Sequence, residues 1–585
     1  MDSAVRQVHF VGICGTAMSA IAIELNASGF RITGSDQNPY PPTSTVLTNH
    51  GIEVFAGYHP GNIQPNTLIV IGNAISRGNP ELEAALDASL PIISLPELIS
   101  RRYLIKRKPI VLTGTHGKST TTAMTAFILN ECRKQPGWMI GGIPLDLTAP
   151  SNKGQGEFFV VEGDEYDTVY YDKRPKFFHY KPYIGVISGI EFDHADIYKN
   201  IEEIEDAFLK FARLIPSNGK LIVNGDDERA VRCSKNAFCE VILIGEGDNC
   251  DLRISNTTKS GDAGVNAEFT TADNGTFNLQ LSIPGVHNIR NAAYALAAAV
   301  AAGVERDDAL KVLRDFKGVQ RRLQLLIENE EIALWDDFAH HPSAIKITLE
   351  SLRLRYPDQR IVALLEPRSN TMVRNFHQQQ LTDALSAAEL VLLTPLHRGE
   401  MIEEAERLDV RELSSALENK GIACIVCTEF SEFSTAVEEQ IVVGDVVVML
   451  SNGSFGGIKE DLVKLIALKA GVEYSNLLND QPSQNVGVDE EVVTCKTCGK
   501  VFIFTKSEAE YYASRGFDPP HHCRECRAQR RRSKSGAKTG NVVKAKGGAV
   551  WTEVICEDCQ KQTIVPFKPV GDRPVYCRDC LVKNG

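Results

Sequence analysis

The stretch PIVLTGTHGKSTTTAMTAFI, residues 109–128, constrains the fold of this chain more than any other. An apolar run reads as a strand, Gly114 and Gly117 mark a turn, and a helical pattern opens near Lys118. A strand feeding a glycine turn into a helix N-terminus aims backbone N–H groups and the helix dipole at an anion. Lys118 can reach a terminal phosphate and Ser119 can ligate Mg²⁺, with Thr115, His116 and Thr120 completing the cradle. The stretch is not the common G-x-x-x-x-G-K-[ST] loop, because Leu112 stands where the first glycine would be. The alternative is a plain turn with a Ser/Thr-rich helix cap. G-K-S-T at a strand–helix junction favours phosphate.

At 585 residues the chain exceeds one hydrophobic core, so several domains are expected. A hydrophobic content of 43% and a charged content of 24% describe an ordinary globular composition. The net charge of −12 is uneven: residues 523–550 carry nine Lys or Arg against one Glu, as an appended module with its own partner would. The apolar N-terminus lacks a basic leader and a cleavage site, and no uncharged run is long enough to span a membrane. The expected location is the cytoplasm.

Residues 7–14 read as a buried strand, followed by a glycine turn and a helix. The strand 30–36 then ends on Asp36. This is the opening of a nucleotide-binding α/β unit, although Gly12 and Gly15 do not complete a G-x-G-x-x-G fingerprint. Strands near 68–76, 158–161, 184–188, 221–223, 332–335, 361–365, 390–394 and 446–450 alternate with helical stretches such as 291–303. That alternation predicts an α/β chain with parallel sheets throughout. Two acidic clusters follow predicted strands: EGDEYDT with Glu162, and EFDHADIY with Asp193 and His194. Ligands bind at strand ends in open α/β sheets, and magnesium takes oxygen donors shared with phosphates. Taken singly, Glu162, Asp164, Glu165 and Asp167 also read as solvated loop carboxylates, and His194 as a structural histidine.

GTHGKSTTT, EGDEYDT, EFDHADIY, HNIRN, DDFAHHP, EPRSNTM and SNGSFGG occur in an order that resembles the Mur ligases over roughly residues 7–468. The resemblance implies three domains: a Rossmann-like UDP-sugar domain over 1–107, a central P-loop-type ATP domain over 108–325 and a Rossmann-like peptide domain over 326–470. A linker at 471–490 would follow. It also implies an ADP-forming amide ligase that activates the lactate carboxylate of UDP-N-acetylmuramate as an acyl phosphate. GICGT, DKRPKF and DDFAHHP look more like the branch of peptidoglycan recycling that adds L-alanyl-γ-D-glutamyl-meso-diaminopimelate; the alternative adds L-alanine alone.

By the same resemblance Lys118, Glu162 and His194 are catalytic, and Ser119, Glu162 and His194 hold Mg²⁺. Gly114 through Thr120, Asn288, Asn291, Arg321 or Arg322, and Asp337 face ATP. Gly12, Cys14, Gly15, Thr16, Asp36, Asn73, Ser76 and Arg77 receive the UDP-sugar. His340, His341 and Arg368 face the peptide. Three departures stand out: Ser454 replaces a family glycine, Gly163 replaces alanine, and Phe211 takes the slot of a lysine that is carbamylated in several members. No such modification is expected, although Lys210 is adjacent.

Beyond residue 490, four C-x-x-C pairs supply Cys495, Cys498, Cys523 and Cys526, then Cys556, Cys559, Cys577 and Cys580. Each set of two pairs is a four-thiolate Zn²⁺ pattern, predicting two structural zinc-ribbon modules at 491–532 and 551–585. Metal substitutes for the core that so short a segment lacks. The basic segment 533–550 reads as a linker suited to a nucleic-acid or protein partner, without the interleaved aromatics of base stacking. A nucleic-acid-binding protein on a degenerate ligase scaffold is the rival reading from a different class.

Overall fold

The computed structural model describes residues 6–39, 43–260 and 264–474, and in the tail 491–494, 496–497, 501–504, 542–544, 550–555 and 562–565. The chain divides into two units, Met1–Gln484 and Asn485–Gly585.

The first unit holds three large sheets in sequence. Strands β1 (Gln7–Val11), β2 (Arg31–Asp36), β3 (Glu53–Ala56), β4 (Leu68–Ile71) and β5 (Ile92–Ser94) form a parallel sheet in the order 3-2-1-4-5. The order reverses beside β1. Its carboxyl end therefore opens onto the crevice where α/β sheets take ligands.

The central block comprises β6 (Lys108–Thr113), β7 (Gly137–Met139), β8 (Ser151–Asn152), β9 (Phe158–Gly163), the small pair β10 (Asp167–Val169) and β11 (Asp172–Pro175), β12 (Ile184–Ile187), β13 (Lys220–Asn224), β14 (Glu240–Gly245), β15 (Leu252–Ser260), β16 (Gly264–Thr271) and β17 (Thr276–Leu281). Without the small pair these make one ten-stranded sheet, 17-16-15-14-13-12-6-9-7-8. Strands β12 and β9 flank β6 in parallel register, so all three end at the glycine turn. Helix Lys118–Glu131 packs against helix Val286–Ala301, whose run of alanines permits close approach.

The third sheet consists of β18 (Gln324–Glu328), β19 (Ala333–Asp337), β20 (Ile361–Leu365), β21 (Leu390–Leu393), β22 (Ala423–Val426) and β23 (Val446–Leu450), in the order 18-19-23-20-21-22. Strands β19, β20 and β23 are buried along their whole length, as central parallel strands are.

The expectation of parallel sheets throughout is corrected. Strands β15, β16 and β17 pair antiparallel, as do β7 with β8 and β18 with β19. Between β16 and β17 the cause lies in Asn274-Gly275, with Asn274 at φ 63°, which closes a tight hairpin and leaves no room for a crossover helix.

In the second unit, Glu491–Thr494 pairs antiparallel with Val501–Phe504. Val550–Ile555 pairs antiparallel with both Val542–Lys544 and Gln562–Val565. The eight cysteines expected to bind zinc lie outside the described residues.

Candidate active site

The glycine turn after β6 is built for close approach. Gly117 has φ 79°, and a Cβ there would stand 2.3 Å from Asn291 Oδ1; Gly114 has φ 126° and would meet Ser188 Oγ at 2.3 Å. A side chain at either position would be strained by the backbone and would clash with its neighbour. Gly117 caps helix Lys118–Glu131 without a side-chain hydrogen bond, which leaves the first N–H groups of that helix for a ligand.

Lys118 folds back over this turn. Its Nζ donates to the Gly114 carbonyl at 2.7 Å and lies 3.0 Å from both carboxylate oxygens of Glu165. Burial alone would lower its pKa, but the charges of Glu165, Asp164 and Glu162 outweigh burial and hold it above the usual lysine range. Ser119 Oγ donates to Glu162 at 3.0 and 3.2 Å, and Glu162 also accepts from the Gly141 N–H at 2.9 Å. His194, at φ 56°, places Nε2 3.3 Å from Glu165 Oε1. Burial opposes its protonation, but Glu165 and then Asp193 prevail and raise its pKa.

A hydroxyl, several carboxylates and an imidazole around one ammonium form a donor set that suits a hard divalent ion beside phosphate. Ser119 and Glu162 are directly paired, whereas His194 sits with Glu165 and Asp164, the three offering ligand atoms within 4.8 Å of one another.

These groups line a cavity of about 900 Å³ that takes in Thr115 through Thr120, Glu162, Asp193, His194, Asn288, Asn291, Arg322, Asp337, His340 and His341. The two adjacent arginines part company. Arg322 reaches across to donate to Ser119 Oγ at 3.2 Å, while Arg321, at φ 60°, is spent on the carbonyls of Ser451 and Gly453 at 2.7 and 2.6 Å. Asp337 accepts from the N–H groups of Leu323 and Ala339, and burial raises its pKa to about 6. Asn291 Nδ2 donates to Asn288 Oδ1 at 3.0 Å.

A second cavity, of about 480 Å³, adjoins the first and shares Asp193, His194, His340 and Asn452 with it. Arg368 lines it. His341 does not; it stays with the larger cavity, where it caps helix Pro342–Arg355 by accepting from Ser343 N at 3.3 Å. Gly453 packs so closely on Arg368 that a Cβ would stand 2.4 Å from its Cδ, whereas Ser454 has φ −128°, a conformation that serine adopts without strain, so it is accommodated where the resemblance implies glycine. Phe211 is fully buried, and Lys210 points to solvent beside Asp206.

In the first sheet, Gly12 (φ 87°), Cys14, Gly15, Thr16 and Asp36 gather at the end of β1, with the Cys14 N–H donating to Asp36 at 3.0 Å. Burial and then the Asp36 charge raise the Cys14 thiol to about 11, so it stays protonated. Asn73 turns to the central block, donating to Asp167 Oδ1 at 2.9 Å. Arg77 is paired on the surface with Glu83, and the Ser76 carbonyl accepts from Asn79 N in the turn before helix Pro80–Asp87.

Three groups escaped the sequence reading. Glu165 is buried against Lys118; Glu191 accepts from Ser343 Oγ at 2.5 Å; Thr371 donates to Asp193 at 2.8 Å. Glu165 and Glu191 both follow strand ends, which is the one local signal they carry.

Family models cover this unit in three pieces: residues 7–103 match "Mur ligase family, catalytic domain", 112–299 "Mur ligase middle domain", and 321–453 "Mur ligase, glutamate ligase domain". This chain belongs to the Mur ligase family. It is 36% identical over 476 residues to the UDP-N-acetylmuramate–L-alanyl-γ-D-glutamyl-meso-2,6-diaminoheptandioate ligase of Escherichia coli K12, covering 79% of this chain and 99% of that one. It is 30% identical over 455 residues to the UDP-N-acetylmuramate–L-alanine ligase of Clostridium acetobutylicum, covering 78% and 97%. Among solved structures, a murein peptide ligase from Psychrobacter arcticus 273-4 matches with 32% identity and a TM-score of 0.61, covering 79% of this chain and 98% of that one. The tail matches "Probable treble clef domain" over 489–535 and "Probable treble clef zinc finger" over 550–585. No helix among the described residues is long and apolar enough to cross a membrane.

Proposed function

We propose that this protein joins UDP-N-acetylmuramate to the tripeptide L-alanyl-γ-D-glutamyl-meso-diaminopimelate, converting ATP to ADP and phosphate, in cytoplasmic recycling of peptidoglycan. The observation that carries this reading is the convergence of Lys118, the Ser119–Glu162 pair and Arg322 on the N-terminus of helix Lys118–Glu131, beside a second cavity large enough for a peptide. A single alanine would leave most of about 480 Å³ empty, which favours the tripeptide over the L-alanine activity.

In the proposed reaction the lactate carboxylate takes the γ-phosphoryl group and ADP leaves. The peptide amine then attacks the acyl carbon, and phosphate departs as the amide forms. Lys118 and Arg322 bring positive charge to the oxygens of the transferring group, where fixed charge lowers the barrier. Magnesium, held by Ser119 and Glu162 with His194 close by, would neutralise phosphate charge and orient the oxygens. His340 is half-buried and lines both cavities; burial lowers its pKa, and its Nδ1 faces the Phe338 carbonyl at 3.0 Å. Its other nitrogen is then free to accept the proton that the amine sheds.

The loop of Gly12, Cys14, Gly15, Thr16 and Asp36 is assigned to the UDP-sugar, and domain limits of 1–107, 108–325 and 326–470 are adopted. For the tail we propose two structural zinc ions, one per set of four cysteines, and a nucleic-acid or protein partner for its basic segment. The test of the ligase reading is ADP release dependent on UDP-N-acetylmuramate and stimulated by the tripeptide. Stimulation by L-alanine instead would overturn it.

A further inference from the structure

Two guanidiniums line the smaller cavity, together with the carboxylates of Asp193 and Asp196, which accept from the Thr371 and Tyr166 hydroxyls. Arg368, His397 and Arg398 all line it, as do Ser369 and Asn370, with Met401 and Ile402 as apolar lining. His397 and Arg398 follow β21 on a short loop whose backbone is pinned by the His397 N–H donating to the Pro367 carbonyl at 3.1 Å. Arg398 sits at φ 52°, a conformation that costs a non-glycine residue free energy and that structures retain where a side chain must be aimed.

The acidic neighbours do not consume this charge. Glu366 stands 3.5 Å from Arg368, but it is turned to Ser451 Oγ and to the N–H groups of Phe455 and Gly456. Arg398 has no side-chain hydrogen bond or ion pair among the described residues, and it is exposed at the cavity rim. Burial and then the charges of Arg368 and Arg398 lower the His397 pKa, so both guanidiniums act on the same ring. Two cations facing one cavity repel unless an anion lies between or beside them.

We propose that Arg398, supported by His397, forms a second anion subsite that holds a carboxylate of the terminal diamino acid of the incoming peptide, leaving Arg368 for another of its carboxylates. This rests on the reading of the protein as a ligase of an acidic peptide. An extended tripeptide spans about 10 Å, so the amine and the last residue address different parts of the site. Arg398 is then a specificity-determining residue: it rewards a tripeptide and does nothing for a shorter amine.

The test compares the tripeptide with the dipeptide L-alanyl-γ-D-glutamate, which lacks the terminal diamino acid, on the full chain and its Arg398→Ala variant. The expected result is a rise of about tenfold in KM for the tripeptide, with kcat within about twofold and KM for ATP unmoved. The Ki or KM of the dipeptide stays constant, and Arg398→Lys gives an intermediate KM because it keeps charge but loses the planar fork. An unchanged thermal midpoint shows that the variant folds. An unmoved KM for the tripeptide, or an equal loss with both peptides, overturns the subsite while leaving the ligase reading intact. No turnover of the tripeptide by the unaltered protein overturns that reading, and the subsite with it.

Discussion

Glu165 presents both carboxylate oxygens to the Lys118 ammonium at 3.0 Å, and only 3% of this acidic residue is exposed. A buried ion pair of this kind is costly to break one-sidedly, because the remaining charge is left without a partner. Glu165 supplies the negative charge that a bound phosphate would also supply to this lysine.

Glu165→Gln therefore lowers the stability of the nucleotide-free protein by about 2 kcal/mol. Magnesium ATP restores part of that loss by supplying new anionic partners, so the thermal shift on adding nucleotide is larger in the variant than in the parent. Equal shifts in the two proteins would contradict this account of Glu165.

Thr371 and Asp193 tie the third sheet to the central block through a buried 2.8 Å hydrogen bond, at the wall shared by the two cavities. Thr371→Val leaves Asp193 one donor short, costing about 1–2 kcal/mol of stability. It also lowers kcat by about tenfold, because misplacement of the peptide side is felt at the reacting centre. Chemical denaturation and saturating-substrate kinetics measure the two effects separately.

Burial, together with the charge of His116, lowers His287 to about 4, and its buried Nδ1 has no hydrogen-bond partner among the described residues. In the unfolded chain the same ring titrates at about 6.5. Below that pH the unfolded state takes up a proton that the folded state refuses, so stability is complete above about 6.5 and falls as pH drops towards 4. Urea midpoints at pH 7 and pH 5 measure this, and His287→Asn flattens the difference by up to about 1 kcal/mol per pH unit. A parental pH slope in the variant would refute the assignment.

The phosphate turn was legible because strand, glycines and helix start are contiguous, and each carries its own signature. Lys118, Ser119 and Glu162 follow from that local logic, and the structure brings them together. Glu165 is one of four clustered carboxylates, and nothing local in the sequence marks which of them is buried. The Thr371–Asp193 contact joins positions 178 residues apart, which no local pattern reports. Arg321 and Arg322 are indistinguishable in sequence; the left-handed backbone at Arg321 sends one inward to its own sheet and the other to Ser119. The antiparallel hairpin at Asn274-Gly275 is legible in the sequence, since N-G between alternating strands is a strong turn signal.

The tail yields to elemental analysis. Two zinc ions per chain are expected, falling to one when Cys523 and Cys526 are replaced together by alanine. Removal of residues 480–585 eliminates both and leaves the ligase rate intact. One zinc in the full chain would contradict the two-site reading, and a dead truncated enzyme would contradict the separation of the two units in function.

The central claim is that Lys118 grips and stabilises a phosphoryl group in transit to the muramyl carboxylate. The most direct measurement is tripeptide-dependent ADP release and product formation by Lys118→Ala at saturating substrates. The account predicts a fall in kcat of about 10²–10³-fold with the fold preserved. Parental rates of ADP release and product formation in that variant would contradict it.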